Sequence, residues 1–177
     1  MKQSAIKKPP REFRVVTLEE DGISHVNVGS NAKTDLGKHL AMTVNLGFRH
    51  PFLGPFRTHE GFRRYVIHPN PTDNLRYTYG SKTNSHSAKD DRLNRQHYRR
   101  IVIDGYYLKI KQNPTLLDLF KTNELPFEEY FVNETSGIAI NHSTAAWHTE
   151  ALNELGAVFR EGKPYTLVTF DEYKILR

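Results

Sequence analysis

The sequence contains no cysteine among its 177 residues. Disulfide scaffolds, zinc sites built from thiolates and cysteine nucleophiles are therefore excluded. Long apolar runs are also missing: none approaches the ~18 residues that cross a bilayer, so we expect neither a membrane protein nor a membrane partner. The basic start of the chain is not followed by an apolar stretch, so we expect no secretory signal and a cytoplasmic location.

The common catalytic and phosphate-binding motifs are missing as well. The sequence has no glycine-rich phosphate loop of either standard type and no Gly-x-Ser-x-Gly elbow. His59-Glu60 begins like the helix of a zinc protease, but the second histidine of that motif is absent. The nine histidines lack metal-ligand spacing, which indicates surface or packing positions, and His142-Ser143-Thr144 has no matching second motif of a two-histidine phosphodiesterase. The sequence predicts neither a metal site nor a cofactor.

The sequence does contain enough apolar material for a folded core. Hydrophobic residues make up 37% and aromatic residues 11%, with ten Phe and nine Tyr. A chain of this length fits one domain, since single domains usually have ~100–200 residues. We therefore expect residues 13–177 to form one domain. Residues 1–12 carry several cations and two prolines, and we interpret them as a flexible basic arm.

The net charge is positive, because 25 Lys and Arg residues oppose 20 Asp and Glu residues, which gives +5. This excess favours an anionic partner, although a solvated basic surface has the same composition. Eight cations fall within one thirty-residue stretch: Lys82, Lys89, Arg92, Arg95, Arg99, Arg100, Lys109 and Lys111. Tyr98, Tyr106 and Tyr107 interleave with them, which suits stacking on nucleic-acid bases. Their helical spacing slightly favours an amphipathic helix with core tyrosines and solvated cations.

Caps, prolines and apolar spacing predict an α+β domain that is mainly helical, with short strands. The predicted helices are residues 34–41 capped by Thr34, 59–68 capped by Thr58, 90–111, 114–122 with Pro114 in first position, and one from Ser143 or Thr144 to about Phe159. The predicted strands are residues 127–131 and 166–170, and a hairpin over 13–28 that turns at Asp21-Gly22. The proline-broken segment 49–56 is expected to be irregular.

Four segments form an ordered series: residues 27–38, 56–62, 109–116 and 125–130. The third, Lys-Ile-Lys-Gln-Asn-Pro-Thr-Leu, is the most specific, and resembles the Lys-Phe-x-Gln-Asn-Pro-x-Leu segment of the YbiA-like or NADAR family. The second is similar to the family's aromatic residue, Thr or Ser, and Glu on a helix. The first resembles the opening of bacteriophage-encoded members, and the fourth the family's Leu-x-Glu. The resemblance implies a compact YbiA/NADAR-like fold and an N-glycosidase activity.

Cleavage of an N-glycosidic bond requires a carboxylate near the anomeric carbon, to stabilise oxocarbenium charge or to activate water. The resemblance favours Glu60 for this role, and Glu129 is the second candidate catalytic residue. Two simpler interpretations stay open. An acid in a first helical turn is favourable for the helix dipole alone and contributes only ~0.3–1 kcal/mol to folding, and Glu129 could lie on the solvent side of its strand.

Six further residues are expected to bind substrate: Lys33, Lys38, Arg76, Lys109, Gln112 and Asn113. The first three would contact phosphate oxygens, and the last three match the family segment. An ordinary surface position is the simpler interpretation of each of the first three cations. Asn113 could equally serve only as the cap of the helix that Pro114 begins.

These observations lead to two functional hypotheses from different classes. The first is an N-glycoside hydrolase for ADP-ribosyl or ribosylamino substrates. The positive charge favours ADP-ribosylated nucleic acid as the substrate over a phosphorylated nucleoside-like small molecule. A phage-encoded member would act in the host cytoplasm, in counter-defence. The second is a non-catalytic nucleic-acid- or nucleotide-binding protein with a degenerate NADAR pocket. Departures from the family motivate it, such as Ala41-Met42-Thr43 in place of Ser-Asn-Phe.

Overall fold

The computed structural model describes residues 18–68, 70–77, 96–132, 139–141 and 146–175. This part of the chain contains six α-helices: α1 Asp35–Leu40, α2 His59–Ile67, α3 Gln96–Gln112, α4 Pro114–Thr122, α5 Ala146–Glu161 and α6 Phe170–Ile175. Its short strands are β1 Val26–Asn27, β2 Phe48–His50, β3 Gly54–Phe56, β4 Phe127–Glu128, β5 Tyr130–Val132 and β6 Ala139–Asn141. The predicted α+β, mainly helical class is confirmed. The basic arm, residues 1–12, lies outside the described residues.

The strands form small two-stranded sheets that connect distant parts of the chain. β1 pairs in parallel with β4, and this pairing brings residues 26 and 127 side by side. β2 pairs antiparallel with β3, and β5 pairs antiparallel with β6. Parallel pairing requires a crossover, and here the crossover contains α1 to α4. The β1–β4 contact therefore closes the chain around its helices.

Helix α3 lies at the centre of the fold, because it contributes to both groups of buried apolar side chains. Tyr106 and Ile110 of α3 pack in the group that includes α4, α5, β1 and β4. Tyr98, Ile101 and Leu108 pack in the other group, with the β2–β3 pair and α2. The tyrosines at 98 and 106 are core residues, as the amphipathic interpretation of this stretch predicts.

The predicted solvent-facing side of this helix does not include every cation. Lys109 is fully buried, whereas Lys111 and Arg100 are exposed and Arg100 pairs with Glu172. A helix that is enclosed on most of its circumference has few positions left for solvated side chains. The cations from Lys82 to Arg95 lie outside the described residues.

Three helix starts agree with their sequence signals. The hydroxyl of Thr34 accepts a hydrogen bond from the Gly37 N–H, and that of Thr58 accepts one from Gly61 N–H, as N-caps do. Pro114 occupies the first position of α4, where its missing N–H is not needed. The predicted boundaries of α1, α2 and α4 are confirmed to within one residue or so.

The predicted hairpin over residues 13–28 is wrong in its described part. Residues 18–20 form a 3-10 helix, and Val26 pairs with the distant Phe127 instead of a preceding strand. Gly22 does adopt the positive φ of 88° that an Asp-Gly turn favours. The turn signal was therefore correct, but the pairing partner of β1 comes from elsewhere in the chain. Residues 13–17 lie outside the described residues.

The segment 49–56 is more regular than expected, because it contains β2 and β3. Pro55 lies opposite Arg49 in this pair. A proline is compatible with an edge strand, where its missing N–H faces away from the partner. The expected single strand over residues 127–131 is instead split into β4 and β5, and Glu129 lies between the two.

The strand predicted for residues 166–170 is also wrong: residues 163–169 belong to no helix or strand, and α6 begins at Phe170. The buried carboxylate of Asp104 accepts hydrogen bonds from the Val168 N–H at 2.8 Å and from the Tyr165 hydroxyl at 2.7 Å. Burial raises the pKa of Asp104 to about 6, even though both bonds act in the opposite direction. A side chain thus takes the place of a strand partner.

A close approach between β1 and α1 makes residue 37 a sensitive position. A Cβ at Gly37 would lie 2.0 Å from the Asn27 carbonyl oxygen, which is backbone and cannot move aside cheaply. We expect Gly37→Ala to lower the free energy of unfolding by ~2 kcal/mol or more. Gly156→Ala is the matched control, because a Cβ there meets only the guanidinium end of Arg160, whose bond to the Asn123 carbonyl is exposed and can shift, and it should stabilise α5 by ~0.5–1 kcal/mol. Urea unfolding should show a lower free energy of unfolding for Gly37→Ala and a higher one for Gly156→Ala. Equal changes in the two variants would contradict the packing argument.

Candidate active site

A cluster of polar side chains surrounds the buried ring of Tyr106 on α3. We call it the Tyr106 cluster, and its members are Tyr106, His59, Glu60, Glu129, His148 and Lys109. The His59 ring centroid lies 3.9 Å and the His148 ring centroid 6.2 Å from that of Tyr106. Burial is the main cause that raises the pKa of Tyr106, and the negative charges of Glu129 and Glu60 raise it further. Each candidate carboxylate thus adjoins one of these histidines: Glu60 follows His59 in the chain, and Glu129 lies beside His148.

Glu60 is buried in the first turn of α2 and is held by two arginines. Arg63 donates two hydrogen bonds to its carboxylate, each of 2.8 Å, and Arg64 donates a third of 2.6 Å. Burial on its own raises the pKa of Glu60, but the hydrogen bonds and charges of Arg63 and Arg64 outweigh burial, so its pKa lies below the usual value. The Glu60 N–H donates to the carbonyl of Met42, which fixes the start of the helix. This carboxylate is ionised and already neutralised by its neighbours.

Glu129 lies at the junction between β4 and β5, and its carboxylate has fewer contacts. Its Oε2 atom is buried and has no hydrogen-bond partner among the described residues. The same atom is 3.4 Å from Nδ1 of His148, which is an ion-pair distance without hydrogen-bond alignment. About a quarter of the side chain is exposed. Glu129 is thus the carboxylate of the cluster that retains acceptor capacity for a ligand.

His59 lies beside Tyr106 and is fixed in one tautomer. Its Nε2 atom lies 2.8 Å from the carbonyl oxygen of Val102, which can only accept, so Nε2 carries the proton. Burial, followed by the positive charge of Lys109, lowers the pKa of His59 well below its usual value, so the ring is neutral. The ring is this close to α3 because residue 105 is glycine: a Cβ there would lie 2.7 Å from the His59 ring.

Lys109 is fully buried in the last turn of α3 and does not project towards solvent. Its Nζ atom donates to the carbonyl oxygen of Ala41 at 2.9 Å. Burial lowers the pKa of Lys109 to about 7, so a large fraction of the amine is neutral near pH 7. The lysine of the family-like segment, Lys109, therefore lies inside the cluster, and its charge depends on pH.

The lowered pKa of Lys109 predicts a stability that rises with pH. Between pH 7 and about 10.4 the unfolded chain holds the Lys109 proton and the folded chain does not, so stability increases as pH rises through this window. The slope from this group is about 1.4 kcal/mol per pH unit. In Lys109→Met this contribution disappears. Urea unfolding from pH 7.5 to 9.5 would measure it, with the exposed Lys111→Met as control. Parallel curves for wild type and Lys109→Met would contradict the assignment.

The remaining predicted binding residues lie elsewhere. Lys33 is exposed, and its backbone N–H donates to Asp21 at 2.6 Å. Lys38 is exposed on α1, with its Nζ 3.6 Å from the Asp35 carboxylate. Contacts with phosphate are therefore sterically open to both side chains, but neither belongs to the Tyr106 cluster.

Arg76 has a set of protein contacts that occupies its guanidinium group. It donates to Asp73, to the carbonyl oxygen of Leu53 and to the Tyr65 hydroxyl. The guanidinium carbon also lies 4.2 Å from the centre of the Tyr65 ring. These contacts indicate that Arg76 connects the loop at Leu53 to Tyr65 of α2, and that its guanidinium group is not available to bind phosphate.

Gln112 and Asn113 connect the end of α3 to β2. The Gln112 side chain accepts from the Arg49 N–H and donates to the Arg49 carbonyl, both at 2.8 Å, as a strand partner would. Asn113 donates to the carbonyls of Gly47 and Lys109 instead of capping α4. Both residues of the family-like segment thus have structural contacts that position Lys109.

Two cluster members, His59 and His148, were not indicated as site residues by the sequence, and Tyr106 was considered only for stacking on nucleic-acid bases. His59 was set aside with the zinc-protease motif, Tyr106 was predicted to be core, and His148 belonged to no motif. The only local signal is the adjacency of His59 and Glu60 after a capping threonine. Within the described ranges, no three His, Cys, Asp or Glu side chains group as metal ligands.

Among the described helices, none combines the length and apolar character that crossing a bilayer requires. Comparison of the chain with protein-family models, curated proteins and solved structures found no match in any of the three.

Proposed function

We propose that the protein is an N-glycoside hydrolase that acts on ADP-ribosyl or ribosylamino substrates. The observation that carries the proposal is the placement of Glu60 and Glu129 beside the two histidine rings next to Tyr106: Glu60 follows His59 in α2, and Oε2 of Glu129 lies 3.4 Å from Nδ1 of His148. The two residues come from helix α2 and from the β4–β5 junction, which are almost seventy residues apart in sequence. The family resemblance points to the same two carboxylates independently of their position in space.

The contacts of the two carboxylates suggest different roles. Glu60 is neutralised by Arg63 and Arg64, so it adds little negative charge for a reacting sugar. Glu129 has a buried oxygen without a hydrogen bond and a side chain that reaches solvent. An oxocarbenium-like transition state requires an anion placed beside the anomeric carbon. We therefore assign this role to Glu129 and a positioning role to Glu60, which reverses the order of preference from the sequence.

The proposed substrate carries phosphate, and the charge of the protein is compatible with this. The chain has a net charge of +5. Lys33 and Lys38 are exposed around the start of α1, where they could contact phosphate oxygens without breaking a buried contact. Arg76 and Lys109 have internal partners, so the proposal does not use them for phosphate binding. The proposed partners are ADP-ribosylated nucleic acid or a phosphorylated nucleoside-like molecule.

The test is a comparison of two probes in one mass-spectrometric assay. One probe is a DNA oligonucleotide with ADP-ribose on a guanine base, and the other is a phosphorylated ribosylaminopyrimidine. We expect release of ADP-ribose from the oligonucleotide, of ribose phosphate from the ribosylaminopyrimidine, or of both, with a preference for the oligonucleotide. Binding of either probe without release would support the non-catalytic hypothesis instead. If the protein neither binds nor cleaves either probe, both functional hypotheses are contradicted.

A further inference from the structure

We infer that His148 is the general acid that donates a proton to the leaving nitrogen when the N-glycosidic bond breaks. This inference rests on the proposed N-glycosidase function. The observation behind it is the placement of an imidazole against the one carboxylate of the cluster that retains acceptor capacity. Nδ1 of His148 is 3.4 Å from Oε2 of Glu129, and both atoms are buried.

The position of the His148 ring is fixed by its neighbours. His148 lies in the first turn of α5 and is 9% exposed. The Trp147 ring stands edge-on to it, with 3.7 Å between the centroids, and the Tyr106 ring approaches it in a T-shaped arrangement at 6.2 Å. Arg99 of α3 lies over the Trp147 ring at 5.5 Å, which connects this turn to the central helix. Packing of this kind fixes the orientation of the imidazole ring, and therefore the direction of its N–H bonds.

When a carboxylate contacts one nitrogen of an imidazole ring, the second ring nitrogen remains available for proton transfer. Glu129 faces Nδ1 of the ring, so Nε2 is the atom that exchanges the proton. In the step, the bond between the anomeric carbon and nitrogen breaks, and its electron pair stays on nitrogen. His148 gives its Nε2 proton to that nitrogen. Water then adds to the anomeric carbon, and the proton it loses returns to His148, so the balance is a hydrolysis.

The other members of the cluster are less suited to this role. His59 is kept neutral by burial, and its Nε2 proton is used by the Val102 carbonyl. The pKa of Tyr106 lies well above its usual value, so its hydroxyl is a weak acid. Glu60 is held ionised by its two arginines and has no proton to give. Lys109 is directed at the Ala41 carbonyl. His148 is the remaining donor beside Glu129.

The test combines removal of the imidazole with its replacement from solution. Release of ADP-ribose from the ADP-ribosylated guanine oligonucleotide is measured under single-turnover conditions for wild type, His148→Ala and His148→Gln. His97→Ala is the matched control, because His97 is an exposed histidine of α3 outside the cluster. We expect both His148 variants to lose ~10²-fold or more in rate, with substrate affinity within a few-fold. Added imidazole should restore part of the rate in His148→Ala, and less in His148→Gln, where the side chain fills the space.

Each result decides the inference. A His148→Ala rate within threefold of wild type would show that no proton comes from His148. A large loss that imidazole does not restore, or unfolding of both variants by circular dichroism, would show a structural role instead. A wild-type protein that binds the oligonucleotide but releases nothing would overturn the proposed function itself. This outcome differs from the two above, in which the wild type is active.

Discussion

Glu129→Gln is expected to lower turnover by ~10²-fold or more while leaving substrate affinity within a few-fold of wild type. The substitution keeps the size of the side chain and removes the charge that we assign to stabilisation of the oxocarbenium-like transition state. Loss of one preorganised electrostatic contact costs a factor of this size in turnover. The loss should appear in kcat and not in KM, because the charge matters chiefly when the sugar becomes cationic.

Glu128→Gln is the matched control for this variant. Glu128 is the neighbouring acid, half-buried on β4, and it is not a member of the Tyr106 cluster. Steady-state rates of ADP-ribose release would compare the two variants directly. We expect Glu128→Gln to remain within a few-fold of wild type. An equal loss in both variants would show that the charge at residue 129 has no special role.

Glu60→Gln is expected to destabilise the fold by about 3 kcal/mol, the lower end for removing one partner of a buried ion pair. The substitution removes the carboxylate to which Arg63 and Arg64 together donate three hydrogen bonds. This corrects the sequence-based expectation that an acid at a helix start contributes only ~0.3–1 kcal/mol. The difference arises because Glu60 is 7% exposed and anchors two arginines, not only the helix dipole.

Urea unfolding at pH 7 would measure this effect. Glu161→Gln is the matched control, because Glu161 pairs with Lys163 at the surface and both side chains are more than half exposed. We expect its free energy of unfolding to change by less than ~0.5 kcal/mol. A fully stable Glu60→Gln protein that has lost all turnover would contradict the positioning role and return Glu60 to the catalytic role.

The helix starts could be predicted from the sequence because their causes are local. Thr34, Thr58 and Pro114 each act on backbone groups within four residues, so a short window contains the whole signal. The mainly helical class followed from these starts and from apolar spacing. The choice of Glu60 and Glu129 as candidate carboxylates came through the resemblance, since nothing in their spacing connects them.

The errors have a common physical cause, which is contact between residues far apart in the chain. Val26 pairs with a strand a hundred residues away, so its own turn signal could not identify its partner. Residues 166–170 have strand-like composition, but the buried carboxylate of Asp104 takes the Val168 N–H. His148 is adjacent to Glu129 only because α5 packs on β4. Single-sequence patterns carry no information on such contacts.

The central claim, cleavage of an N-glycosidic bond at the Tyr106 cluster, is tested most directly by the mass of both products from one reaction. An oligonucleotide with ADP-ribose on a guanine base is incubated with wild-type protein, and the strand and the released molecule are both weighed by mass spectrometry. The account predicts intact ADP-ribose and an unmodified strand. AMP together with a strand that keeps ribose phosphate would show cleavage of the pyrophosphate instead, and an unchanged strand that remains bound would show a binding protein; either result would contradict the account.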